Sequence, residues 1–341
     1  MLNQVYRLVS PRQFESIAVN EELKDETIIV RPTYLSICHA DQRYFTGSRD
    51  KAILAKKLPM ALIHEGIGEV IFDPKNEYQR GDIVVMVPNT PIEEDPVIHE
   101  NYLRSSKFRS SGYDGYMQEY VYLRRDRAVR LPVDFDFEMS AFIELVSVAY
   151  HTIERAEARM NDDRSVFGIW GDGNLGYITS LLLKYKYPNS KIIVFGKHEL
   201  KLDYFSFADK VYLVNQIPES VEISHAFECT GGMGSQYAIN QIIDIIKPEG
   251  VIALMGVSEN NIEVNTRMVL EKGLVLIGSS RSSVQDFQAT VDFLELHPGA
   301  RRRLKNLIGL VKTVKTINDI IDCFDEDLVT TWGKTVMKWE I

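Results

Sequence analysis

The apolar run Val166-Phe167-Gly168-Ile169-Trp170 passes directly into Gly171-Asp172-Gly173-Asn174-Leu175-Gly176, and a helical pattern, Leu175 to Tyr187, follows at once. Gly-x-Gly-x-x-Gly alone is weak evidence, because any tight turn uses glycine. Between a strand and a helix it acquires a mechanism. The first glycine makes the turn, the second lets the backbone approach a pyrophosphate, and the third lets the helix pack closely. The phosphate then meets free N–H groups at the helix N-terminus, where the helix dipole favours negative charge. This segment points to an α/β Rossmann domain, a doubly wound parallel sheet, with Gly171, Gly173, Asn174, Leu175 and Gly176 at a dinucleotide.

The surrounding rhythm agrees. Strand-like runs at Lys191 to Phe195, His225 to Glu228, Val251 to Gly256 and Leu274 to Gly278 alternate with helical stretches, one near Gln236 to Ile246 closing at Pro248-Glu249-Gly250. Such alternation is what crossover helices on a parallel sheet require. Before about residue 150 the apolar runs are short and cut by Gly and Pro, as at Thr27 to Val30, Gly66 to Phe72, Asp82 to Val87 and Met117 to Leu123, which reads as β-rich. Pro88 to Gly112 is a long polar excursion from that half. At 341 residues two domains are expected, divided as 1–147 and 148–282.

An NAD-specific protein carries Asp or Glu at the end of the second strand, to hold the ribose hydroxyls; here the chain reads Gly196-Lys197-His198. A Gly that opens space and a Lys that pairs with a 2′-phosphate favour NADP(H). Gly256 and Ser279, at later strand ends, are further cofactor positions.

Composition excludes other classes. The formal charge is -9, with no run of like charges that would act as a tail, so nucleic acid is not an expected partner. Three cysteines, Cys38, Cys229 and Cys323, make no disulfide framework and suit a reducing compartment. The start lacks the order of a signal peptide, and no apolar stretch is long enough to span a bilayer, so membrane insertion is not expected and a cytoplasmic location is.

Metal-capable side chains occur in three segments of the β-rich half: Cys38-His39-Ala40-Asp41, His64-Glu65-Gly66 and Glu144-Leu145-Val146-Ser147-Val148-Ala149. A solitary Cys is more often a small buried hydrophobe, and a solitary His more often a satisfied polar residue. Taken in order, however, Cys38 and Asp41, His64-Glu65 with Gly68, and Glu144 with Ser147-Val148-Ala149 and His151 resemble the zinc-containing polyol branch of the medium-chain dehydrogenases. The resemblance implies a GroES-like catalytic domain over 1–147, completed by about 283–341. It also implies one catalytic Zn²⁺ on Cys38 and His64, with Glu65 and Glu144 completing the shell directly or through water. One thiolate, one imidazole and carboxylates suit zinc and can leave a position open.

Two departures from the family pattern bear on the chemistry. The four close cysteines that hold a structural zinc in many relatives have no counterpart in Pro88 to Gly112, so no structural zinc is expected. Ala40 replaces a hydroxyl that helps pass a proton, leaving Glu65, Glu144, Tyr44 or water for that task.

Tyr34 to Tyr44, Phe167 to Tyr177, Val264-Asn265-Thr266-Arg267 and Gly278-Ser279-Ser280-Arg281-Ser282 further resemble the bacterial reductases of ribulose 5-phosphate. Those make ribitol 5-phosphate, a precursor of CDP-ribitol for wall teichoic acid or capsule. The resemblance implies NADPH-dependent reduction at C2, a homodimer and a functional link with a ribitol-5-phosphate cytidylyltransferase. The substrate phosphate needs cations, and Arg43, Arg49, Lys51, Arg109 and Arg281 are available, with Arg43 and Arg281 favoured. Three other readings stay open: another polyol or secondary alcohol on the same machinery, a zinc-free quinone-type reductase, and a non-catalytic NADP-binding protein.

Overall fold

The computed structural model describes residues 1–341, which divide into two units: Met1–Leu145 with Ser282–Ile341, and Val146–Arg281.

The first unit is built mostly on antiparallel strands, with one parallel pair between Ile308–Val314 and Lys334–Trp339. Leu2–Ser10 and Gln13–Asn20 form a hairpin that also holds Met60–Ala61. A larger sheet runs in the order Ala128–Arg130, Ile83–Met86, Glu65–Phe72, Thr27–Ser36, Lys334–Trp339 and Ile308–Val314, with Val121–Arg124 also pairing to Thr27–Ser36. Alternate apolar residues of these strands, among them Ile28, Val30, Val70, Val84 and Leu123, enter one core. Helix Ile317–Val329 covers it. Thr316 and Asp319 form a capping box at the helix start, and Ile320, Cys323 and Phe324 present one buried stripe at helical spacing. Phe324 stacks on Phe45 at 4.8 Å, and burial pushes the Cys323 thiol up to about 12, so this cysteine is a packing residue.

The polar excursion Pro88 to Gly112 is neither bare loop nor regular element. A short pair, Asn89–Thr90 with Lys107–Phe108, flanks a turn at Glu100–Tyr102. The nearly buried Arg127 binds Glu100 at 2.7 Å, and the Glu100 carbonyl accepts from Asn89 and Ser106. The segment is thus held by hydrogen bonds and one ion pair.

The second unit has one parallel sheet, ordered Lys210–Leu213, Lys191–Gly196, Val166–Trp170, His225–Glu228, Val251–Leu254 and Val275–Gly278. In this unit's own count the order is 3-2-1-4-5-6, that of dinucleotide-binding sheets, which reverse between the first and fourth strands and bind ligands beyond the carboxyl ends there. Helices Asn174–Lys186 and Gly234–Ile245 pack on it, and Trp170 stacks on Phe195 at 3.9 Å. No helix of the chain is long and apolar enough to cross a membrane.

His225 gives this unit a pH dependence. Its ring is fully buried in the sheet and its Nδ1 accepts the Val251 N–H at 3.1 Å, an arrangement that needs the neutral imidazole. Burial pushes its pKa down to about 4, against about 6.5 in an unfolded chain. A depressed pKa adds stability above the unfolded value, and that stability is lost as pH falls from about 6.5 to 4. The slope there approaches that of one proton, about 1.4 kcal/mol per pH unit. Urea denaturation at pH 7 and pH 5 should show the loss, and His225→Asn should flatten it.

Candidate active site

Pairing in the larger sheet assembles the metal-capable residues. Ser36 pairs with Glu65, so Cys38, just past one strand end, comes beside His64, just before the next strand. Asp41 fixes both. Its carboxylate is fully buried; Oδ2 accepts the Cys38 N–H at 3.2 Å, and Oδ1 accepts the Ile63 N–H at 3.1 Å and the Ser110 hydroxyl at 2.6 Å. Ile63 has φ +71, a costly conformation for a β-branched side chain, held from both sides because its carbonyl also accepts the Tyr116 N–H. His64 follows directly, and its ring lies 5.3 Å from that of Phe108 in the excursion. Ligand atoms of Cys38, His64 and Glu65 all fall within 4.8 Å of one another.

Glu144 is buried at the start of helix Ile143–Glu157 and stands outside this three-residue group. The family resemblance places Glu65 and Glu144 in the shell directly or through water; Glu144 issues from a helix and not from the sheet ends that bring the other three together. Burial raises its pKa to about 7; the His64 charge opposes that rise and the Glu65 charge adds to it. Glu144 can therefore hold a proton near neutral pH. For His64, burial acts to lower the pKa, but Asp41, Cys38 and Glu144 outweigh it and hold it well above the usual value.

One partner was not anticipated. Lys334 begins the strand that pairs antiparallel with Thr27–Ser36, with Val336 opposite Ser36, which carries Lys334 level with Cys38. Its Nζ lies 2.8 Å from Glu65 Oε1, and both side chains are almost wholly buried. Burial alone would lower the Lys334 pKa; the charges of Glu65 and Cys38 reverse this and keep it raised. Glu65 Oε2 and His64 Nδ1 are buried without a hydrogen-bond partner. A thiol, an imidazole and a carboxylate gathered with unsatisfied polar atoms are the donor set of a tetrahedral zinc site, and they fit that ion.

In the second unit the glycines of the turn can be tested one by one. Gly171 has φ +131. A Cβ on Gly176 would lie 2.0 Å from the Gly171 carbonyl oxygen, whereas one on Gly173 would meet nothing within 4 Å, leaving room for a ligand to approach. Asn174 and Leu175 open the helix, and no side chain caps its first N–H groups.

The space at Gly196 is not open, contrary to the sequence expectation. Asp172 fills it, 2.7 Å from where a Cβ would stand. An acid does reach the end of the second strand, but from the glycine turn: Asp172 Oδ2 accepts the N–H groups of Lys197 and His198, both at 2.7 Å, and lies 3.0 Å from His198 Nδ1. The carboxylate is occupied in shaping this loop, and the Lys197 side chain is exposed. At the fourth strand's end, buried Glu228 accepts from the N–H groups of Thr230, Gly231 and Gly256 and from the Ser235 hydroxyl. Gly256 is required there, since a Cβ would fall 2.5 Å from that carboxylate. Ser279 bonds Thr152 at 2.8 Å.

Of the cations, Arg109 donates to the carbonyls of Asp114 and Tyr122, a structural task. Arg43 lies half-buried on helix His39–Phe45, and Arg281 takes φ +60 at the end of the second unit. Tyr44 is buried on that same helix with its hydroxyl unpartnered.

Residues 24–133 match the alcohol dehydrogenase GroES-like domain and residues 138–336 the glucose dehydrogenase C-terminus. The chain belongs to the medium-chain dehydrogenase family, in its polyol dehydrogenase branch. Within that branch it is 58% identical to ribulose-5-phosphate reductase 1 of Staphylococcus aureus, covering 99% of each chain. It is 56% identical to the ribulose-5-phosphate reductase of Bacillus spizizenii over the full length of both. The crystal structure of S. aureus TarJ in complex with NADPH superposes with a TM-score of 0.90 at 52% identity, covering 100% of each chain.

Proposed function

We propose that this chain reduces D-ribulose 5-phosphate to D-ribitol 5-phosphate with NADPH, assisted by one zinc ion and without a structural zinc. The observation that carries the chemistry is the convergence of Cys38, His64 and Glu65 within 4.8 Å, with orphaned polar atoms on two of them. The substrate and cofactor follow the full-length relatives named ribulose-5-phosphate reductase and the NADPH complex of the superposing structure.

When bound, the zinc supplies Lewis acidity toward the C2 carbonyl. Cys38, His64 and Glu65 would hold it, with Glu144 acting from outside that group. Hydride passes from NADPH to C2, the carbonyl pair moves to oxygen, and that oxygen takes a proton, leaving ribitol 5-phosphate and NADP⁺. Glu144, whose pKa burial raises to about 7, is a proton store for this step, alongside water. Asp41 keeps the Cys38 and His64 segments in register. Lys197, on the loop shaped by Asp172, pairs with the 2′-phosphate, and Arg43 and Arg281 add positive charge around the substrate. The reading includes a cytoplasmic homodimer that hands its product to a cytidylyltransferase making CDP-ribitol for wall teichoic acid or capsule.

The test is NADPH oxidation with ribulose 5-phosphate, before and after zinc removal. Turnover should vanish with a chelator and return with Zn²⁺, and NADH should be at least about tenfold less efficient, the difference one charge-assisted contact makes. Equal turnover of unphosphorylated ketoses would make the chain a general polyol dehydrogenase. Tight NADPH binding with no turnover of any sugar would make it a binding protein.

A further inference from the structure

Resting on the substrate reading above, we propose that Arg49 and Lys57, set over the ring of Tyr44, form the subsite for the terminal phosphate of the acyclic sugar. Residues 43 to 57 hold Arg43, Arg49, Lys51, Lys56 and Lys57 against the single acid Asp50, in a chain whose net charge is -9. Asp50 is committed to its own helix, accepting the N–H groups of Ala52 and Ile53. The local excess of positive charge is therefore real, and it lies on the helix that starts at the ligand Cys38 and on the segment following it.

The arrangement of these cations is specific. The Arg49 guanidinium lies 4.2 Å from the Tyr44 ring centroid, and Lys57 Nζ lies 5.9 Å from the same centroid. Lys57 also donates to Ser111 Oγ at 2.8 Å. Stacking holds a guanidinium in one plane while leaving its edge N–H groups free for a planar or tetrahedral anion. The Tyr44 hydroxyl and Arg49 Nε are both buried with no hydrogen-bond partner, and Tyr44 is only 1% exposed. Two like charges beside one ring, with unspent donors, lack an anion.

The subsite is tied to the metal-capable group by covalent neighbours. Ser111, bound to Lys57, follows Ser110, which donates to Asp41, the carboxylate that fixes Cys38 and Ile63. Tyr44 stands six residues beyond Cys38 on the same short helix, about 9 Å of axial rise. The span between the C2 oxygen and the 5-phosphate of an extended ketose phosphate is of that order. On this reading Tyr44 donates to phosphate oxygen and is not part of the proton path.

The test compares ribulose 5-phosphate with ribulose. Arg49→Met keeps an aliphatic body on the Tyr44 ring and removes the charge. It should lower kcat/KM for the phosphorylated sugar by about 30-fold, mostly through KM, with less than about twofold change for free ribulose, as loss of a charge-assisted contact predicts. Tyr44→Phe should act on the phosphorylated sugar alone, by about tenfold, the low end for one hydrogen bond to a charged group. Inorganic phosphate should compete with ribulose 5-phosphate in the parent protein and about tenfold less well in Arg49→Met. Should that variant misfold, Lys57→Met carries the same expectation. Equal losses on both sugars, or an unchanged phosphate preference in both variants, would overturn the subsite alone. A parent protein indifferent to the phosphate would overturn the substrate reading and the subsite together.

Discussion

Cys38→Ser and His64→Ala should each lower bound zinc from about one ion per chain to below about one-tenth, and lower kcat/KM at least about 10³-fold. Serine offers a hard, protonated oxygen in place of a soft thiolate, and alanine offers nothing. Two remaining donors do not close a tetrahedral site. The size of the effect follows from the several kcal/mol that a Lewis acid supplies to a developing alkoxide, at about 1.4 kcal/mol per tenfold in rate. Neither substitution removes a core packing group: Cys38 is only half-buried, and the core of this unit is built from the sheet and the Phe14, Phe45 and Phe324 rings. NADPH affinity should hardly change, because the glycine turn belongs to the other unit. Elemental analysis beside steady-state rates checks both halves. A variant that keeps its zinc and its rate would show that the ion, if bound, sits elsewhere.

What the sequence made legible was local. Val166 to Gly176 carries strand, turn and helix in eleven consecutive residues, and the close approach of Gly176 to the Gly171 carbonyl lies within that same stretch. Cys38, His64 and Glu65 were readable through the family motifs they match, and the register of neighbouring strands brings them together. The opening hairpin, Leu2–Ser10 with Gln13–Asn20, was not read: its outer strand is mostly exposed, and the turn lacks a glycine. Lys334 was invisible for another reason. Nothing near it in sequence announces a site; it reaches Glu65, 269 positions away, only because the last strand pairs beside Thr27–Ser36. Asp172 lay in plain view within the glycine motif, yet its task depends on the loop after the second strand folding back over it. Pattern finds residues whose partners are close in sequence or fixed by sheet register; it misses those whose partner arrives by tertiary contact.

Lys334→Met should destabilise the zinc-free protein by about 3–5 kcal/mol, the usual result of stripping one partner from a buried ion pair. Glu65 is fully buried, and Lys334 Nζ at 2.8 Å is its only hydrogen-bonded partner, with Oε2 already orphaned. Removing the ammonium therefore leaves an uncompensated carboxylate that the surrounding strands cannot hydrate. The double variant Lys334→Met with Glu65→Gln removes both charges and should recover most of that stability while losing zinc affinity. The two charges stabilise little as a pair, but either one alone is costly. Zinc changes the balance. A bound dication beside Glu65 takes over part of the compensation that Lys334 provides, so the gap between parent and Lys334→Met should narrow when zinc is added. Urea midpoints with chelator and with saturating Zn²⁺ measure that difference directly. An equal gap in both conditions would mean that Glu65 faces no cation other than Lys334.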